Sequence, residues 1–140
     1  MDRAFWRKLA DDRVDDARVL LAGDRWSVAY HVAGYAVECG LKACVLAYLE
    51  THIDIIFREK RFSEKCWTHE LKALVELAAL DANLEADMTG NPILRGNWGV
   101  AKDWKETSRY EEKTEREART LFEAVTNEPN GVLRWIRGHW

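Results

Sequence analysis

Apolar residues in the first two dozen positions recur at three- to five-residue spacings: Phe5, Leu9, Val14, Ala17, Leu20 and Leu21. Charged residues fill the gaps. A stripe with this period faces a core along one side of an α-helix. Residues 2–23 are therefore expected to form an amphipathic helix. Asp11, Asp12, Asp15 and Asp16 lie on its outer face, with Arg13 and Arg18 among them as pairing partners. Gly23 is a natural stop.

Residues 24–52 behave differently. From Trp26 to Leu49 the chain is apolar almost all round, the mark of a helix central to a bundle or of a membrane span. His31, Glu38 and Lys42 interrupt the run, and a charge near a bilayer centre costs at least ~2.5–3.5 kcal/mol. The buried central helix is favoured, and no membrane partner is expected. Ala29, Ala33, Gly34, Ala36, Gly40 and Ala43 let a neighbouring backbone come close. A glycine inside a helix costs ~1 kcal/mol, so Gly34 and Gly40 imply a steric need. Glu38 and Lys42 are four apart, in the favourable order for an ion pair. Two readings stand for them: a partly buried structural pair, or polar groups lining a binding cleft.

Periodicity weakens over residues 53–67. Arg58, Lys60, Arg61 and Lys65 mix there with Glu59 and Glu64, and Phe57, Phe62 and Trp67 are interleaved. The segment reads as a linker with its aromatics tucked onto the bundle. The competing reading is a contact for a phosphate backbone or for bases. Thr68 is expected to cap a helix over 69–80, and residues 81–88 either extend or break it. A turn at 89–92 sets Pro92 at a first helical position. A short helix over 93–103 then carries Trp98, Val100 and Trp104. Residues 105–114 read as a loop and 115–126 as a helix with Ala118, Leu121, Phe122 and Val125 inward. After a break at 127–131, residues 132–140 close as a short helix. No run alternates with period two and no segment repeats. The expected fold is one all-α bundle over residues 1–140, with two long N-terminal helices.

Composition narrows the function. The 140 residues are 47% hydrophobic, enough for a real core, and fit a single domain. Lys and Arg number 21 against 24 Asp and Glu, a net charge of −3. A globally basic nucleic-acid binder is excluded, so any RNA contact has to be local. Met1-Asp2-Arg3 leads into charged residues, so no secretory leader is expected. Cys39, Cys44 and Cys66 form no disulfide framework and point to a reducing compartment. Cys66 and His69 have ligand spacing, but no second such pair exists, so no metal and no cofactor is expected. Glycine-rich phosphate loops and nucleophile elbows are also missing.

Two Arg–His pairs carry candidate chemistry: Arg134 with His139, and more weakly Arg25 with His31. Such a pair can cleave RNA without metal. The imidazole takes a proton from the ribose 2′-hydroxyl or returns one to the leaving oxygen. The guanidinium holds the phosphate and its developing charge. Trp98, Trp104, Arg109 and Tyr110 form a second candidate. They make either an aromatic-plus-Arg platform for a base or a plug closing one end of the bundle, with Arg109 stacked on Trp.

The run from Gly23 through Trp26, Tyr30 and Gly34-Tyr35-Ala36-Val37-Glu38-Cys39 to Leu41-Lys42-Ala43 resembles the second helix of HEPN-domain proteins. The likeness is to the bacterial branch with an AYYLAGYAVECALKA-like signature. Thr68-His69-Glu70-Leu71, the segment from Asn97-Trp98 through Asp103-Trp104 to Ser108-Arg109-Tyr110, and Gly131-Val132-Leu133-Arg134-Trp135-Ile136 resemble further stretches of that branch. The resemblance covers most of the chain. It implies an up-and-down bundle of four or five main helices with a short terminal helix, forming homodimers in the bacterial cytoplasm. It also implies a toxin–antitoxin or defence setting with a minimal nucleotidyltransferase as partner. Many family members are metal-independent endoribonucleases with an Arg-x(4–6)-His motif. Others lack it and act as RNA-, nucleotide- or partner-binding modules or as structural interaction modules. Both Arg–His pairs here satisfy the spacing, but Trp135 and Trp26 follow the arginines where the family usually has a polar residue.

Overall fold

A computed structural model describes residues 1–140. Its first two helices, α1 (Arg3–Ala22) and α2 (Trp26–Thr51), pack antiparallel along their length. The Asp2 carboxylate caps α1 by accepting from the Phe5 amide at 2.8 Å, and Arg3 at its start pairs with Glu50 near the far end of α2 at 3.0 Å. The turn between them closes by two backbone bonds, Asp24 N–H to Leu21 O and Arg25 N–H to Leu20 O. These are the two bonds of a Schellman motif. Gly23 ends the helix as expected, but the left-handed residue is Asp24 (φ 59°), one position later. Aspartate tolerates that region better than most side chains.

The α1 stripe follows the expected one except at its start, with Leu9 and Leu20 packed against the core as well. Ala10, Val14, Ala17 and Leu21 are buried, whereas Phe5 is 44% exposed. Phe5 lies on the outer face of the first turn, where its neighbour Trp6 packs against the core instead.

Beyond α2, short helices take over: α3 (Ile55–Arg58), α4 (Phe62–Lys65), α5 (Leu71–Leu77), α6 (Asp81–Gly90) and α7 (Pro92–Ala101). A 3-10 segment (Glu106–Tyr110) precedes α8 (Glu115–Thr126) and α9 (Val132–Arg137). The fold is an all-α bundle. Five helices have ten or more residues, and a short helix closes the chain. Thr68 does not cap α5. The helix begins only at Leu71, and the Thr68 hydroxyl accepts from the Glu70 amide instead. Residues 69–88 are two helices, broken where Ala79 adopts φ 57° and Leu80 N–H reaches back to Val75 O. Asn91 then closes α6 and caps α7, with Pro92 at the first helical position. Thr114 and Glu117 form a capping box on α8, whose bounds match the expected 115–126.

α2 is the axis of the molecule. It touches α1, α5, α8, α9 and the 3-10 segment. By length and composition it could cross a membrane, yet most of it is buried inside the bundle. Its small residues are where neighbours arrive. A Cβ on Gly34 would overlap the indole of Trp104, and one on Gly40 would lie 2.9 Å from Ile136 Cγ2. Leu41, Leu74, Leu121, Leu133 and Ile136 are all at most 1% exposed. Truncating any of them to alanine is expected to cost about 2–5 kcal/mol.

Candidate functional site

Three polar sites emerge from this packing. The first lies on α2. Glu38 has no exposed surface, and its Oε1 accepts from Lys42 Nζ at 2.8 Å and from His69 Nδ1 at 2.8 Å. The His69 ring is half-exposed. Oε2 is buried without a partner. A charge so placed survives only because its donors sit against it. Glu38 is therefore walled off from any ligand, which corrects its reading as a cleft residue. Lys42 bridges inside and outside: its side chain is 14% exposed, and its ammonium lies 5.1 Å from the Trp6 ring centroid.

The second site is the end of the bundle around His31. Its Nδ1 meets Ser108 Oγ at 3.1 Å, and its ring packs against Tyr35 and Trp104. Burial pulls the His31 pKa below the usual imidazole value, and Arg109 adds to the shift. Arg25 is not part of this site. It stands exposed at the start of α2, six residues from His31, which is about 9 Å along the axis and roughly 120° around it. That pair does not converge.

Nor is there a four-residue aromatic platform. Trp104 is fully buried and Trp98 is 8% exposed, so neither offers a face to a base. Arg109 pairs with Glu106 at 2.8 Å and lies over Tyr110, which is 77% exposed, rather than over a tryptophan. Trp104 alone of the four packs against His31 at the bundle end. Gly34 opens the notch that Trp104 fills.

The third site is a polar cleft of about 550 Å³ between α6, α7 and α9. It holds Arg134, Trp135 and His139 together with Asp87, Asn91 and Asn130. Its wall is locked by amides: Asn91 Nδ2 donates to Asn130 Oδ1 at 2.8 Å, and Asn97 Nδ2 to Asn130 O at 2.9 Å. Trp135 Nε1 donates to Asp87 at 2.8 Å, and the His139 ring lies 4.4 Å from the Trp135 ring. Arg134 has only a 3.7 Å approach to Glu128, too long for a hydrogen bond, so its fork of donors is free.

Burial pushes the Cys39 and Cys44 thiols up to about 12, and Cys66 is also raised. No three His, Cys, Asp or Glu side chains gather closely enough to hold a metal.

An all-α bundle with one amide-walled polar cleft is the class that fold and site define. No protein-family model, curated protein or solved structure matches the chain.

His69, Asp87, Asn91 and Asn130 were not legible as site residues. His69 meets Glu38 across 31 positions, and no spacing rule reaches that far. The asparagines stand in segments that read simply as turns. The tucked-aromatic reading of 53–67 holds only for Phe62. Phe57 is 91% and Trp67 75% exposed, because α3 and α4 are too short to fold every aromatic inward.

Proposed function

We propose that this chain is a HEPN-type helical-bundle protein that works as a dimeric binding module for RNA or a nucleotide. The proposed setting is a toxin–antitoxin or defence system with a minimal nucleotidyltransferase as partner. One observation carries the reading: Arg134, Trp135 and His139 line a single polar cleft whose asparagine wall is already ordered. Arg134 receives a phosphate through its free donors. The Trp135 and His139 rings provide stacking surface for a base. Asp87 holds the Trp135 indole in place.

A gel shift with single-stranded RNA at several salt concentrations tests this. Arg134→Ala is expected to weaken binding and to lower the salt slope by about 1. No shift in the unmodified protein at any salt sinks the RNA reading and leaves a structural interaction module. Light scattering that returns the monomer mass at micromolar concentration sinks the dimer.

The shared cleft also favours a second reading, a metal-independent ribonuclease. Here His139 exchanges a proton with the 2′-hydroxyl or the leaving oxygen while Arg134 holds the phosphate. Cleavage of labelled RNA in chelator that disappears in His139→Ala supports it. No cleavage at high protein concentration overturns it.

A further inference from the structure

A second cavity lies on the other side of α2, away from the polar cleft. It is a groove of about 470 Å³ between the start of α1, the C-terminal half of α2 and the α3–α4 segment. Ten of its fourteen lining residues are hydrophobic, with Trp6, Leu46, Leu49 and Phe62 among its walls. Met1 (79% exposed), Ile56 (56%) and Trp67 (75%) stand around it with their apolar surface in solvent. Clustered exposure of this kind marks a binding site rather than ordinary surface scatter. The volume and lining, largely apolar with a few polar groups, are those of a small-molecule site.

The polar groups state the ligand's charge. Lys42 reaches the groove from above the buried Glu38, which does not itself line it. Its ammonium has three donors. One goes to Glu38, and the Trp6 ring covers another side. No other hydrogen bond holds it, and its side chain is part of the groove lining. Lys60 also lines the groove and belongs to none of the ion pairs or side-chain hydrogen bonds that hold its neighbours, such as Arg58 with Asp54. The sole acid on the lining is Glu59, already paired with Lys65. With Lys42 held by Glu38 and Glu59 by Lys65, the unpaired charge on the groove is the Lys60 ammonium.

We propose that this groove binds an amphipathic carboxylate. The apolar tail lies along Leu46, Leu49 and Trp6, and the carboxylate is received by the unpaired Lys60, with the Glu38-bound Lys42 lining the same groove. The site is separate from the Arg134 cleft and independent of its role.

Isothermal titration of the full chain with monomeric decanoate, and with decanol as the neutral control, tests the proposal. Saturable one-to-one binding of decanoate is expected, at least tenfold tighter than decanol. Leu46→Phe fills the groove and is expected to abolish both, with a circular-dichroism melt verifying its fold. Lys60→Met changes an exposed side chain and leaves the fold intact. It is expected to retain decanol and to lose most of the preference for decanoate. Equal affinity for the two ligands, an unchanged preference in Lys60→Met, or unchanged binding in a folded Leu46→Phe each overturns the proposal. Co-sedimentation with anionic phosphatidylglycerol vesicles without binding of free decanoate also overturns it, and makes the patch a membrane contact instead.

Discussion

Glu38 cannot be deleted without stranding its donors. Lys42 and His69 converge on one of its oxygens, and the other oxygen has no partner. Removing one member of a buried pair costs about 3–5 kcal/mol. Lys42 and His69 keep some solvent, so Glu38→Ala is expected near the low end, about 3 kcal/mol by urea denaturation. Replacing both charges with apolar groups of similar volume is often neutral or stabilising. The double variant Glu38→Met, Lys42→Met is therefore expected to recover most of that loss. A double variant as unstable as Glu38→Ala would mean that the ionic cluster itself, rather than the stranded charge, sustains the site. The i,i+4 half of this cluster was legible because helical spacing alone brings Glu38 to Lys42. The His69 half was not, since it depends on where α5 comes to rest.

At the scale of elements, helices with terminators written in their own residues are the ones that sequence resolves. Asp2 begins α1, Pro92 opens α7, and Thr114 with Glu117 opens α8. The break between α5 and α6 has no such mark. It turns on Ala79 in the left-handed region, where the best helix-forming side chain is held against its preference by about 1–2 kcal/mol. Tertiary packing sets that turn, and local propensity conceals it. The glycines of α2 and α7 make the same distinction measurable. Gly34→Ala gains ~1 kcal/mol of helix propensity but drives a methyl into the fully buried Trp104 indole. Overpacking of this kind costs about 1–3 kcal/mol and sometimes more, so net destabilisation is expected. Gly96 lies inside α7 with nothing within 4 Å of its would-be Cβ. Gly96→Ala is expected to raise stability by about 0.5–1 kcal/mol. Thermal melts showing the same sign for both substitutions would contradict this account of the α2 notch.

For the molecule as a whole, stability carries the signature of one imidazole. His31 is held below its ordinary pKa by burial, then by Arg109. The unfolded chain binds a proton there near 6.5, while the folded chain resists it. Where the unfolded state holds more protons, stability rises with pH. The His31 contribution is therefore complete above about 6.5 and is lost as pH falls from there toward the lowered value. His31→Phe is expected to flatten this part of the profile between neutral and mildly acidic pH, as followed by denaturant midpoints. An unchanged slope would place the acid sensitivity elsewhere. The overall architecture was readable because α2 is apolar all round and α1 and α8 are striped. The polar cleft and the apolar groove were not, since each is walled by segments from distant parts of the chain. The tryptophans grade from dry to wet. Trp104 is fully enclosed, with its indole nitrogen unpartnered, and Trp67 stands three-quarters exposed beside the groove. Indole light shifts to shorter wavelength as water is excluded, and dissolved iodide quenches only rings that it can touch. One fluorescence experiment on the unlabelled protein thus separates two signals: the quenchable red edge, in which Trp67 is the one exposed ring, responds to groove occupancy, and the protected blue edge of the buried Trp98 and Trp104 reports core integrity.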